Sequence, residues 1–172
     1  MDPKDRYPAE WPDLDAEGML RSLTAGGVDF VVIGGMALVL SGSARLTRDL
    51  DVVFAPDDGN RIALGEVLTG LGAELRGVDE QIPFVPDGRT LAGVQLLALT
   101  TSAGWLDVHL EVPGMPRYDA LRRRAERLNL GGFSVLVASP DDMIAMKRAA
   151  GRPQDLVAVT EWETIKRLRG RA

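Results

Sequence analysis

A chain of 172 residues with 45% hydrophobic and 26% charged side chains has the size and polarity of one folded domain with a full core, which sets disorder aside. Its net charge of -5 argues against a general duplex-DNA binder, which needs clustered Lys and Arg to neutralise phosphates. With no cysteine and one histidine, His109, it has no disulfide, thiolate nucleophile, Cys-based zinc or iron–sulfur site, and no multi-imidazole metal site. Carboxylate, hydroxyl, amide, Lys and Arg chemistry remains, which suits hard cations and phosphates.

No apolar run approaches the roughly 20 residues that span a bilayer. The start, Met1 to Arg6, lacks the basic region and apolar stretch of a signal peptide, so a cytoplasmic protein with no membrane partner is expected. The first helix is predicted from an N-cap at Asp13 or Asp15, with Met19, Leu20 and Leu23 inward, to a stop at Gly26-Gly27. A strand from Asp29 to Ile33 runs into Gly34-Gly35, and Met36 to Leu40 reads as a short buried helix closed by Gly42. Strand, glycine turn and helix in that order offer free backbone N–H groups to an anion, so the turn suits a phosphate.

After a gap of thirteen residues beyond Gly35 comes Asp49-Leu50-Asp51-Val52-Val53-Phe54, a strand in which Asp49 and Asp51 point to one side and Leu50 and Val52 to the other. Two like charges in so apolar a strand repel, and a divalent cation is the usual relief. A helix over Arg61–Leu71 follows, with Ile62, Leu64, Val67, Leu68 and Leu71 as its apolar set and Gly65 as a weak point. Strands are predicted at Ala73–Val78, Val94–Leu99 and Trp105–Val112, with a turn at Pro86-Asp87-Gly88. In the last strand Leu106, Val108, Leu110 and Val112 alternate with Asp107, His109 and Glu111. An Arg-rich helix spans Arg117 to Arg127, packed through Leu121, Ala125 and Leu128, and a strand covers Phe133–Ala138. Helices over Asp141–Ala150, capped by Ser139, and Gln154–Leu168 finish the chain, the latter carrying a second basic run from Lys166 to Arg171. The expected architecture is an α/β (α+β) fold, a mixed central sheet flanked by helices, with a core over 1–138 and a C-terminal helical cap over 139–172 in a single domain.

The apolar-Gly-Gly turn, the thirteen-residue gap and the Asp-Leu-Asp-Val run resemble the signature of the polymerase-β-like nucleotidyltransferase superfamily. Arg45-Leu46-Thr47-Arg48-Asp49-Leu50-Asp51, then Asp107, then Met143 to Leu156 are similar to the AbiEii-type toxin nucleotidyltransferases, including the mycobacterial MenT-like group. That resemblance implies a nucleotidyltransferase fold and transfer of a nucleoside monophosphate from an NTP to an acceptor hydroxyl, with pyrophosphate release. It also implies two Mg²⁺ ions, with Mn²⁺ an alternative, an RNA acceptor such as tRNA, and a protein antitoxin as partner. Nucleotidyl transfer needs charge neutralised at the entering and leaving oxygens, which three carboxylates holding two ions can do. Asp49, Asp51 and Asp107 are the expected metal ligands and catalytic carboxylates, Asp107 doubling as a base. Gly34 and Gly35 would admit the triphosphate. The family likeness adds Lys147, a phosphate charge, and Asp155, and Thr47 and Arg152 are further nucleotide contacts.

Plainer readings stand beside these. Asp107, His109 and Glu111 can form a solvated strand face, with His109 only a neighbour of the site. Lys147, Arg152 and Asp155 can be an ordinary salt-bridge set, and the Arg117–Arg127 run a solvated helix face rather than an RNA contact. Competing functions are a small-molecule, antibiotic-type nucleotidyltransferase and a degenerate transferase domain that acts as a binding or antitoxin module.

Overall fold

The computed structural model describes residues 12–78 and 83–170. The start read above for a leader, Met1–Arg6, and Arg171 of the basic run lie outside the described residues. Helix α1 (Ala16–Ala25) begins at Asp15, whose side chain accepts from Gly18 N at 2.8 Å, and buries Met19, Leu20 and Leu23 before Gly26 ends it. Strand β1 (Phe30–Ile33) passes straight into α2 (Gly34–Leu40), and β2 (Asp49–Phe54) has the predicted limits.

Helix α3 (Asp58–Gly70) starts three residues before the predicted Arg61, because the Asp57 carboxylate accepts from Asn60 N at 2.9 Å and caps it. Leu64 and Leu68 are buried as expected, but Ile62 points outward, 56% exposed. Strand β3 (Glu74–Leu75) keeps only two of the residues predicted over Ala73–Val78, since Gly77, at φ 76°, turns the chain away from the sheet edge. The Pro86-Asp87-Gly88 turn opens the short helix α4 (Gly88–Ala92), with Asp87 accepting from Thr90 N at 2.7 Å.

Strands β4 (Leu96–Thr101) and β5 (Gly104–His109) form a hairpin tighter than predicted. The Thr101 hydroxyl, donating to Gly104 O at 2.8 Å and accepting from Ala103 N at 3.1 Å, closes it around Ser102-Ala103, and β5 ends at His109 rather than Val112. The Arg-rich helix α5 (Tyr118–Arg124) is also shorter than predicted, because Glu126–Asn129 forms β6 and pairs antiparallel with β7 (Ser134–Val137). Leu121, Ala125 and Leu128 satisfy helical spacing in sequence, yet strand pairing captures the last of them. Helices α6 (Pro140–Ala150) and α7 (Pro153–Arg169) follow, α6 capped by Ser139 accepting from Asp142 N and stopped by Gly151 in the left-handed region.

The seven strands form one mixed sheet in the order β3-β4-β5-β2-β1-β7-β6. β1 is antiparallel to β2 and parallel to β7, while β2 is parallel to β5, so the two segments that carry the acidic residues lie side by side. Leu50, Val52, Leu106 and Val108 on one face of this pair are almost wholly buried. Met143, Met146, Val159 and Trp162 of α6 and α7 join the same hydrophobic cluster as β1 and β2. Among the described residues no helix is long and apolar enough to cross a membrane.

Gly65 is a packing requirement and not merely a weak helical residue. A Cβ built there would lie 2.0 Å from Pro86 O, a backbone atom of the segment that crosses α3. Helix propensity alone predicts that Gly65→Ala stabilises by about 1 kcal/mol. The crossing backbone predicts the opposite sign, a loss of about 1–3 kcal/mol from overpacking, to be read from urea unfolding midpoints.

Candidate active site

Parallel pairing sets Asp51 opposite Asp107, and Ile33, which immediately precedes the glycine turn, opposite Asp51 on the other side. Gly34 has φ 66°, and a Cβ there would sit 2.3 Å from Asp51 Oδ2, so only glycine lets the backbone lie against that carboxylate. Gly35 is held open for a related reason, since its Cβ would meet the Thr47 hydroxyl at 2.7 Å. Thr47 in turn lies 3.4 Å from Asp49 Oδ1 and 3.2 Å from Asp49 O. The glycine turn, the 43–48 loop and the acidic strand therefore meet at one place.

Ligand atoms of Asp51, Asp107 and His109 lie within 4.8 Å of one another. His109 Nε2 is 3.0 Å from Asp51 Oδ1, so the histidine stands beside the candidate site as a hydrogen-bonding neighbour of Asp51. Asp49 is not one of that group, although its charge is felt by Asp107. Two carboxylates and one imidazole could hold a divalent cation, and the nitrogen donor fits Mn²⁺ better than Mg²⁺. Burial, then the neighbouring Asp51, pushes the Asp49 carboxyl above its ordinary range. Asp107 is pushed up to about 6, first by burial and next by Asp51 and Asp49, with the Arg76 guanidinium pulling the other way.

Arg76 is the residue of this cluster that the sequence reading missed. Its Nη2 donates to Asp107 Oδ1 at 2.6 Å, and its guanidinium lies 4.4 Å from the centre of the Trp105 ring. No spacing in the sequence links Arg76 to Asp107, because the link runs across β4.

Lys147, Arg152 and Asp155 come together at the α6–α7 junction. The Asp155 side chain, 1% exposed, accepts from Lys147 Nζ at 3.2 Å, from Arg152 Nε at 2.7 Å and from Arg152 N at 3.2 Å. These bonds, the Arg152 contact foremost, lower the Asp155 pKa to about 2. Asp155 thus caps α7 and holds two cations in place, the geometry of the plainer salt-bridge reading. The Asp51 carboxylate is nevertheless among the charges that raise the Arg152 pKa, after the Asp155 hydrogen bond and charge, which ties the junction electrostatically to the acidic face.

In the Arg117–Arg127 run, Arg122 bonds Asp29 through Nε at 2.9 Å, and Arg124 bonds Asp142 at 2.7 Å. Those two cations fasten α5 to its neighbours. Arg117, Arg123 and Arg127 enter no ion pair among the described residues.

Two outcomes are expected from these charges. A carboxyl whose folded pKa is raised costs stability above that pKa and not below the unfolded one, so the Asp107 cost grows as pH rises from about 4 through about 6. Asp107→Asn should therefore stabilise the cation-free protein by about 1–3 kcal/mol at pH 8 and hardly at all at pH 4, by chemical denaturation at each pH. It should also reduce the stabilisation that Mn²⁺ gives the parent. For Asp155 the sign reverses: a lowered pKa gives stability above about 4 that is lost as pH falls through about 2. Asp155→Asn is expected to cost roughly 2–3 kcal/mol at pH 7, with the deficit closing near pH 2.

A protein-family model described as nucleotidyltransferase of unknown function (DUF6036) matches residues 13–169. A curated protein of Bradyrhizobium diazoefficiens named orotidine 5'-phosphate decarboxylase is 28% identical over 174 residues, covering 90% of this chain and 72% of that protein. Its name describes a chemistry different from that of the family, and at this identity the match assigns no activity. Among solved structures, a lincomycin-bound lincosamide antibiotic adenylyltransferase, LnuA, superposes with a TM-score of 0.58 at 14% identity, covering 90% of this chain and 99% of that one. ANT(2'')-Ia in complex with adenylyl-2''-tobramycin gives 0.53 at 14% identity, covering 90% and 92%. An antigenic nucleotidyltransferase-like protein from Paracoccidioides brasiliensis gives 0.53 at 19% identity, covering 91% and 79%. At such identities the likeness is one of fold.

Proposed function

The chain belongs to this family of nucleotidyltransferases of unknown function, and from that membership we propose that it moves a nucleoside monophosphate from an NTP to an acceptor hydroxyl through Asp49, Asp51 and Asp107. The observation that carries the reading is the in-register Asp51 and Asp107 pair beside a glycine turn that admits no side chain. Asp49, Asp51 and Asp107 would hold divalent cations, two of Mg²⁺ or Mn²⁺, which would supply charge neutralisation at the entering and leaving oxygens. Gly34 and Gly35 let the triphosphate approach the backbone, with Thr47 fixing the loop above them. Lys147 and Arg152, oriented by Asp155, hold positive charge toward the phosphates. The acceptor oxygen bonds to the α-phosphorus as the bond to the bridging oxygen breaks and pyrophosphate leaves. In this reading Asp107 also takes the hydroxyl proton as the new bond forms.

For the acceptor, a small hydroxyl-bearing molecule of the antibiotic type is the better supported class. Arg122 and Arg124 are engaged by carboxylates, which removes two cations from the one long basic run, and the net charge is -5. The fold likeness to LnuA and ANT(2'')-Ia points the same way. A second reading, a toxin of the AbiEii or MenT-like kind acting on tRNA or another RNA end and neutralised by an antitoxin, is favoured by Arg117, Arg123 and Arg127, which enter no ion pair among the described residues.

The test is to supply Mg²⁺ or Mn²⁺, each labelled NTP in turn, and either total RNA or a panel of lincosamides and aminoglycosides. Label on a small molecule, reduced about a hundredfold or more in Asp51→Asn, is the expected result. Label on RNA ends selects the second reading. Transfer to neither, or transfer indifferent to Asp51→Asn, removes the proposal.

A further inference from the structure

Arg76 reaches the acidic face by a route that three neighbours define. Its backbone N–H donates to Ala98 O at 2.9 Å at the sheet edge, one residue before the left-handed Gly77. The β4 residue opposite Asp107 is Ala98, whose methyl is short enough for the arginine stem to pass over β4 onto β5. There Trp105, 6% exposed, backs the guanidinium at 4.4 Å, and Nη2 bonds Asp107 Oδ1 at 2.6 Å. Nη1 is buried with no hydrogen-bond partner among the described residues, so the guanidinium is committed to this position although one of its donors goes unused.

We propose that Arg76 is a positioning residue for Asp107: backed by Trp105 and passing over Ala98, it fastens Oδ1 and leaves Oδ2 as the oxygen free to serve the face that Asp107 shares with Asp51, where a cation and the acceptor would meet. A carboxylate with both oxygens free can rotate or bind a cation through both. One oxygen tied to a planar guanidinium fixes the direction of the other. The same contact sets a positive charge against the third carboxylate, which offsets part of its repulsion with Asp49 and Asp51 and opposes an incoming cation. The site is thereby ordered before anything binds, at some loss of cation affinity. An ammonium has neither the plane nor the fork, so lysine cannot replace it.

The inference rests on the proposed nucleotidyl transfer for its kinetic part alone. Arg76→Ala should bind Mn²⁺ more tightly than the parent, by calorimetry or by the free-ion electron paramagnetic resonance signal, because the opposing charge is gone. With the transfer reaction, kcat should fall about 10–100-fold while the NTP KM changes far less. Guanidinium chloride well below denaturing concentrations should fill the slot between Trp105 and Asp107 and restore kcat, whereas sodium chloride at equal ionic strength and neutral urea should not. Arg76→Lys should stay impaired. Ala98→Leu, which keeps the charge but blocks the passage, should share the kcat loss and serves if Arg76→Ala does not fold. Mn²⁺ affinity unchanged or weakened in a folded Arg76→Ala protein overturns the proposal, as does an unchanged kcat or a loss that guanidinium cannot restore. If no acceptor is ever labelled, the proposed function falls, and the Mn²⁺ measurement on the free protein still decides the role of Arg76.

Discussion

Asp51 and Asp107 face each other across two parallel strands with Asp49 close by, and burial first, then repulsion from the other two carboxylates, weighs against the charged form of Asp107. Raising the Asp107 pKa from 3.8 to about 6 corresponds to about 3 kcal/mol against the charged form. Fully burying one or two aliphatic side chains yields a similar amount, roughly 1.5–3 kcal/mol each. Leu50, Val52, Leu106 and Val108, on the opposite face of the same two strands, provide that burial without contacting the site. The alternation of a strand is what allows one short run to carry both the strain and its compensation.

Residues around the acidic face act chiefly by limiting where its charges can go. The glycine turn excludes side chains from Asp51, and Thr47 joins the preceding loop to Asp49. That loop is tied to α7 in turn, through Ser43 and Arg45 on Glu161. At the start of α7, Asp155 gathers Lys147 and Arg152 while capping the helix, so one buried carboxylate serves the fold and orients two cations. The trio has salt-bridge geometry, and its proposed role toward phosphates would draw on the same contacts. Asp155 fixes both cations at the helix cap, and the charge of Asp51 is one that Arg152 senses.

The basic run after Arg117 shows the limits of reading charge from sequence. Its arginines look like one surface when written in a row, but α5 ends at Arg124 and a strand begins at Glu126. Arg122 binds Asp29, at the start of the β1 segment, and Arg124 binds Asp142 of α6, so two of the cations work as internal fasteners. What could be a continuous face for phosphates is divided among several neighbours.

Much of the fold was legible because its determinants are local. The N-caps at Asp15 and Ser139, the glycine stops, the limits of β2 and the period-two alternation of Asp49 and Asp51 depend only on residues a few positions away. The sequence alone also confined the chemistry, since a chain without cysteine and with one histidine offers carboxylates as its main candidate metal ligands. What it could not express was sheet order. That β5 lies beside β2 in the register pairing Asp51 with Asp107, that Arg76 reaches Asp107 across β4, and that Pro86 crosses α3 at Gly65 are consequences of long-range packing. The strand limits at Ala73–Val78 and Trp105–Val112 failed for the same reason, because pairing partners and turns decide where a strand stops, whereas periodicity only says where it could run. The sequence by itself determined which groups could do the chemistry; tertiary structure decided which of them meet, because adjacency across a sheet is set by strand order and register and not by spacing along the chain.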